Sequence, residues 1–115
     1  MHEISIAQGI VDIVEQELAR HGVKELKAVN IAVGKLAGVV PEQLAFCFDL
    51  ITADTSMNGV SLNIREVPMG YVCGSCGEEF TSEEVAFACP RCGRQNPGMI
   101  TGMELNIESI EIADQ

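Results

Sequence analysis

The stretch "CGSCGEEFTSEEVAFACPRCG" spaces Cys73, Cys76, Cys89 and Cys92 as C-x2-C-x12-C-x2-C, and no other feature constrains the fold as much. Two residues between paired cysteines let a tight turn aim both sulfurs at one ion. Two such knuckles supply a tetrahedral thiolate set, which suits zinc. Gly77 and Gly93 each follow a second cysteine, where the backbone often needs positive φ and glycine takes it without steric cost. Pro90 pre-sets its own knuckle. Three other chemistries use the same residues: a pair of disulfides, a redox-active CxxC, and a rubredoxin-like iron site. Cytoplasmic residence disfavours the first. Two matched knuckles on a short hairpin speak for one metal site over the second. The third wants more aromatic packing than Tyr71, Phe80 and Phe87 supply. Four thiolates leave no open position for water, so the expected zinc is structural, and it supplies the folding energy of a module with little core.

The flanking segments read differently. Ile4, Ala7, Ile10, Val11, Val14 and Leu18 follow helical spacing over residues 4–21, with Ile6 and Ile13 widening the stripe. Gly22 suits a left-handed cap. Residues 26–34 alternate as a strand, and "GKLAG" is a loop. "VPEQLAFCFDLI" predicts a second helix, with Pro41 in its first turn and Leu44, Cys47, Phe48 and Ile51 on its buried face. Residues 60–67 alternate as a half-buried strand that Pro68 and Gly70 end. Apolar alternation resumes at Met103, Leu105 and Ile107. It changes parity before Ile110 and Ile112, predicting a β-bulge near Ser109. The expected fold class is α+β: a small three-stranded sheet with two helices, plus an inserted zinc-ribbon-like module. Residues 1–69 and 101–115 form the discontinuous main domain, and residues 70–100 form the insert.

Charge removes several function classes. The 115 residues carry 17 acidic and 7 basic side chains, a net charge of −10, with no basic cluster. That balance argues against nucleic acid and anionic membrane as partners. No stretch approaches a membrane span, and acidic residues interrupt the apolar start, so a cytoplasmic protein is expected. No nucleophile–base motif or phosphate loop is present, so the chain does not read as an enzyme.

The opening "MHE" carries separate chemistry. The Met1 amine, the His2 amide nitrogen and the His2 imidazole can close fused rings on one metal. Loss of the amide proton favours square-planar Ni(II) or Cu(II). The fourth donor is open between the Glu3 amide and a group from elsewhere. A solvated chain end is the plainer reading of the same residues.

"MHEISIAQGIVDIVEQELARHG", then "FCFDLI", then the paired knuckles resemble the HypA/HybF family of hydrogenase-maturation nickel metallochaperones, over the whole length. The resemblance implies an α/β nickel domain with an inserted zinc domain. It implies nickel bound at the N-terminus through Met1 and His2, with Glu3 beside them, and structural zinc at Cys73, Cys76, Cys89 and Cys92. It also implies handover of nickel with a HypB-type GTPase to the large subunit of [NiFe] hydrogenase. Some relatives carry histidines in the zinc module, but this chain has none between residues 22 and 115. A fourth nickel ligand is then backbone or carboxylate.

The alternative is a zinc-ribbon protein-interaction module with no nickel role, which leaves "MHE" as coincidence. Cys47 reads as a buried core residue. Glu78, Glu79, Glu83 and Glu84 read as a solvated rim, and Glu42 as a charge at a helix start or a nickel-site contact. Glu104, Glu108 and Glu111 face a partner strand or water. The final strand reads as an edge open to β-augmentation, and a homodimer is possible.

Overall fold

Apolar residues at helical spacing fold Glu3–His21 into helix α1 in this computed structural model, which describes residues 3–22 and 25–113. Ala7, Ile10, Val11 and Val14 are its buried stripe. Arg20 and His21 occupy the last turn, where cations offset the helix dipole. Gly22 follows at φ 66°, donating its N–H to the Ala19 carbonyl. Ile4 and Ile13, expected in the apolar stripe, are more than half exposed, because the stripe is wider than the layer beneath it.

Strand β1 (Leu26–Gly34) is the middle of a three-stranded sheet. Strand β2 (Ser61–Val67) runs parallel to it, from Ala28 opposite Ser61 to Gly34 opposite Val67. The last strand, Leu105–Ile112, runs antiparallel on its other side. It is numbered β6, since β3–β5 precede it in the chain. Its register jumps from Ser109 opposite Asn30 to Ile107 opposite Ile31, so the expected bulge falls at Glu108.

Helix α2 (Pro41–Thr52) joins β1 to β2, as a parallel crossover requires. It has no side-chain N-cap from Val40; Pro41 lacks an N–H that would need one. Its buried residues are Leu44, Phe48 and Thr52, spaced every four. Cys47 and Ile51 lie beside that line and are half-buried, so Cys47 packs on the core's rim instead of inside it. Thr52 is tolerated in the core because its hydroxyl donates to the Phe48 carbonyl at 2.8 Å. Val29, Ile31 and Val33 of β1 meet Leu44, Phe48, Met57 and Val60 in one core with α1.

The sheet's opposite face is polar. Asn63 Nδ2 donates to Asn30 Oδ1, and Asn30 Nδ2 donates to Ser109 Oγ and Glu111 Oε2. Arg65 forms a two-pronged pair with Glu108 at 3.1 and 2.8 Å. Glu104 accepts from the Gly102 amide at 2.7 Å. These three acids therefore tie down their own fold instead of facing only water. Arg65 lowers the Glu108 pKa below the usual carboxylate value, by its hydrogen bonds first and its charge as well.

Pro68 ends β2, but the chain re-enters strand at once, as β3 (Met69–Val72). Gly70 lies buried inside β3 instead of ending a strand. Strands β4 (Glu79–Ser82) and β5 (Gly98–Thr101) pair antiparallel on either side of β3. Tyr71 and Phe80, opposite each other in register, stack with ring centroids 5.4 Å apart. The Tyr71 hydroxyl accepts the Ala86 N–H at 3.1 Å.

The two sheets join at a tight seam. Gly34 N–H donates to the Glu104 carbonyl, Lys35 N–H to Val67 and Leu36 N–H to Gly102. A Cβ on Gly34 would collide with the Gly102 backbone, which no side-chain movement relieves. Gly34→Ala is therefore expected to cost about 1–3 kcal/mol through forced overpacking. A denaturant melt checks this; an unchanged midpoint would mean that the seam gives way easily. Lys35 Nζ also pairs with Glu83 Oε2 at 2.8 Å, across the seam, but both groups meet water and the pair contributes little.

Candidate metal centre

Each cysteine knuckle is one backbone motif used twice. In the first, Cys73 N–H donates to the Glu78 carbonyl and Gly77 N–H donates to the Cys73 carbonyl, both at 2.9 Å. In the second, Cys89 N–H donates to the Arg94 carbonyl at 2.8 Å and Gly93 N–H to the Cys89 carbonyl at 2.9 Å. The return turn needs positive φ after each second cysteine, and Gly77 and Gly93 adopt 76° and 75°. A bridge between Ala88 and Gln95 closes the second knuckle's base.

The knuckles face each other. Cys73 Sγ lies 3.6 Å from Cys92 Sγ, and Cys76 Sγ lies 3.7 Å from Cys89 Sγ. All four sulfurs lie within 4.8 Å of one another. A tetrahedral ion with metal–sulfur bonds of about 2.3 Å requires sulfur separations of about 3.8 Å, so this set fits one such ion with little movement. None of the five cysteines is in a disulfide, and both short sulfur contacts run between knuckles. The paired sulfurs therefore converge on one point, as a shared ion requires and as separate CxxC couples do not.

The backbone prepares the thiolates. The Cys76 and Ser75 amides donate to the Cys73 sulfur and bring its pKa down to about 6, outweighing burial. Cys89 is lowered in the same way, first by the Cys92 amide and also by Arg91, whose N–H lies 3.4 Å from the sulfur. Cys76 behaves oppositely. The Glu78 amide favours its thiolate, but burial and the neighbouring sulfurs prevail and push it up to about 11. One sulfur of the set thus holds its proton until a cation takes its place.

Two contributions are not visible in the cysteine spacing. The amides of Ser75, Cys76, Arg91 and Cys92 carry no side-chain signal. Arg91 Nη1 also reaches Glu78 Oε1 at 3.3 Å, tying one knuckle to the other across the sulfurs. Glu78 is thus part of the module's frame, and Glu83 is held at the seam by Lys35, while Glu79 and Glu84 are exposed as a rim should be.

Of the three residues offered for a terminal nickel site, Met1 and His2 lie outside the described residues. Glu3 begins α1, and its Oε2 accepts the Val40 N–H at 3.2 Å, just before α2. The carboxylate therefore joins the start of one helix to the start of the other, where a negative charge suits the helix dipole. Glu42 is exposed on the first turn of α2, close in sequence to that contact. No helix among the described residues is long and apolar enough to cross a membrane.

Comparison with known proteins extends over the whole chain. The family model described as "Hydrogenase/urease nickel incorporation, metallochaperone, hypA" matches residues 1–112. Hydrogenase maturation factor HypA of Solidesulfovibrio magneticus is 40% identical, over 97% of this chain and 99% of its own. The same factor of Geobacter metallireducens is 38% identical, with coverage of 97% and 99%. The solution structure of the Ni metallochaperone HypA from Helicobacter pylori shares the fold at TM-score 0.66 and 17% identity, covering both chains completely. With its paired knuckles and its two helices on a three-stranded sheet, the chain belongs to the HypA family of nickel-incorporation metallochaperones.

Proposed function

We propose that this protein carries Ni(II) at its N-terminus and delivers it during maturation of [NiFe] hydrogenase, with zinc held in the four-cysteine cluster. The observation that carries this reading is the family match across residues 1–112. Its four sulfurs make a coordinatively closed set, so a transferable second metal needs other donors.

Zinc fits the sulfur cluster by ligand softness and tetrahedral spacing, and when bound it locks the two knuckles together. Cys73, Cys76, Cys89 and Cys92 hold it, and the knuckle amides and the Arg91–Glu78 pair keep them aimed inward. The division of the chain into a main domain of 1–69 and 101–115 and an insert of 70–100 follows the two sheets. The second sheet starts at Met69 and ends at Thr101.

For nickel, the donors are the Met1 amine, the His2 amide nitrogen and the His2 imidazole, with Glu3 beside them. A chain-end chelate suits a carrier, because protonating or displacing the amine opens the site. The Glu3 carboxylate, anchored at the Val40 amide, keeps that end against α2. The recipient is the hydrogenase large subunit, with a HypB-type GTPase as the handover partner. The protein acts by carrying metal, without chemical turnover.

Calorimetric titration of Ni(II) into untagged, zinc-loaded protein tests this. One strong site is expected in the parent. His2→Ala should weaken it by more than the roughly 10–100-fold that loss of an outer-shell partner costs, with zinc still bound. Acetylating the Met1 amine should do the same. Equal nickel binding by parent, variant and acetylated protein would defeat the terminal site and favour a zinc-bearing interaction module.

A further inference from the structure

Strand β6 is an edge of its sheet: β1 pairs with it on one side, and among the described residues no strand pairs with the other. Beside that free edge runs an open apolar groove of about 490 Å³. Ile6, Gly9 and Ile13 of α1 form one wall, and Leu105 and Ile107 of β6 form the other. Ile13 is 54% exposed there.

Gly9 is the telling residue. A glycine inside a helix costs about 0.5–1 kcal/mol relative to alanine. A Cβ built on Gly9 meets nothing within 4 Å, so no contact within the described fold demands its absence. The missing side chain instead leaves the groove open to something approaching α1.

The electrostatics name the kind of visitor. Helix α1 carries Glu3, Asp12, Glu15 and Glu17, and its basic residues lie in the last turn, where Arg20 and His21 contact Glu17. Strand β6 carries Glu108 and Glu111 and no basic residue. The two glutamates bond to Arg65 and Asn30 on the polar face of the sheet, whereas the groove lies on the helix face. A strand added beside β6 would place alternate side chains on these two faces. One set would enter the apolar groove; the other would lie along the acidic edge. Pairing β6 with the β6 of a second copy would bring the same glutamates together, which disfavours self-assembly there. The bulge at Glu108 limits the straight run of edge to Leu105–Ile107, short enough to discourage indiscriminate pairing.

We propose that this groove and edge bind an extended segment of a partner protein, in which apolar residues alternate with lysine or arginine, as a fourth strand beside β6. Main-chain hydrogen bonds supply affinity, and the alternation supplies specificity.

The test uses the full chain in its metal-loaded form and a short capped synthetic peptide alternating valine with lysine, with a valine–glutamate peptide as control. Amide spectra should shift at residues 105–107 and at Ile6, Gly9 and Ile13 with the basic peptide alone. The β6 amides should also gain protection from exchange. Gly9→Leu fills the groove and improves helix propensity, so melting should hold or rise while peptide affinity falls by at least about tenfold. Ile13→Lys, at an exposed position, should weaken binding likewise. Unmoved β6 and α1 signals, equal binding by Gly9→Leu, or equal binding of the acidic peptide would overturn the proposal. So would a β6 edge already protected in a peptide-free dimer, because a second copy would then be the occupant.

Discussion

Stripping the metal from the four-cysteine cluster under reducing conditions is expected to dissolve the β4-β3-β5 sheet while α1, α2 and the β2-β1-β6 sheet stay folded. The physical reason is the shortage of core. Each strand of the second sheet is four residues long, and Phe87, Val85 and Ile100 stand exposed around it. Met69, Tyr71, Cys73 and Cys89 are its buried residues of any size, and two of those are metal ligands. Such a core falls short of the ordering entropy of thirty-odd residues at about 1.5 kcal/mol each, whereas metal at a four-thiolate site contributes about 10–16 kcal/mol. The chain has one tyrosine and no tryptophan, so Tyr71 reports the event directly by fluorescence. Its ring should leave Phe80, and its hydroxyl should lose the Ala86 amide. Cys76→Ser should act in the same direction, leaving three thiolates around the ion. Native amide dispersion for β3–β5 in metal-free protein would show that the insert has a sufficient core of its own.

Phe48→Ala is the second large effect, and it belongs to the other sheet. Phe48 is completely buried beside Leu44 and Val29, in the core shared by α1, α2 and β1. Truncating such a ring costs about 3–5 kcal/mol, the transfer term plus the cavity left behind. Domains of this size are stable by only about 5–15 kcal/mol, so the melting temperature should drop by on the order of 15 °C. The matched control is Phe46→Ala on the same helix, where the ring is 64% exposed and the change should stay within about 0.5 kcal/mol. Metal stoichiometry at the cysteines should hold in both variants. Thermal melts followed by circular dichroism separate the two; equal losses would contradict the assigned burial.

The knuckles were legible in the sequence because their geometry is local. Two intervening residues and a following glycine nearly determine the turn, and Gly77 and Gly93 take the expected positive φ. Strand β1 was legible for a related reason, since its alternation is bounded by clear loop residues on the "GKLAG" side. The bulge at Glu108 was legible within one residue from the change of parity in β6. What escaped depends on distant partners. Strands β3, β4 and β5 are too short to show a period, and Gly70 disguised a strand as a stop. The buried line of α2 runs through Thr52, whose polarity hides its back-bond to Phe48, and Cys47 is displaced to the rim accordingly. Ile13 matched the apolar stripe of α1, but no strand covers it beyond β6. Of the site itself, the sulfurs could be read directly, whereas the amides that depress the Cys73 and Cys89 pKa values, and the Glu3–Val40 contact, arise only once the chain has folded.

X-ray absorption at the nickel edge, on protein loaded with one equivalent each of zinc and Ni(II), tests the central claim of two metals at two separate sites. Nickel should show a shell of nitrogen and oxygen with imidazole scattering and no sulfur, while the zinc edge of the same sample shows sulfur alone. A nickel–sulfur shell, or zinc displaced from the cysteines by nickel, would contradict the terminal site and put both metals in competition for one cluster.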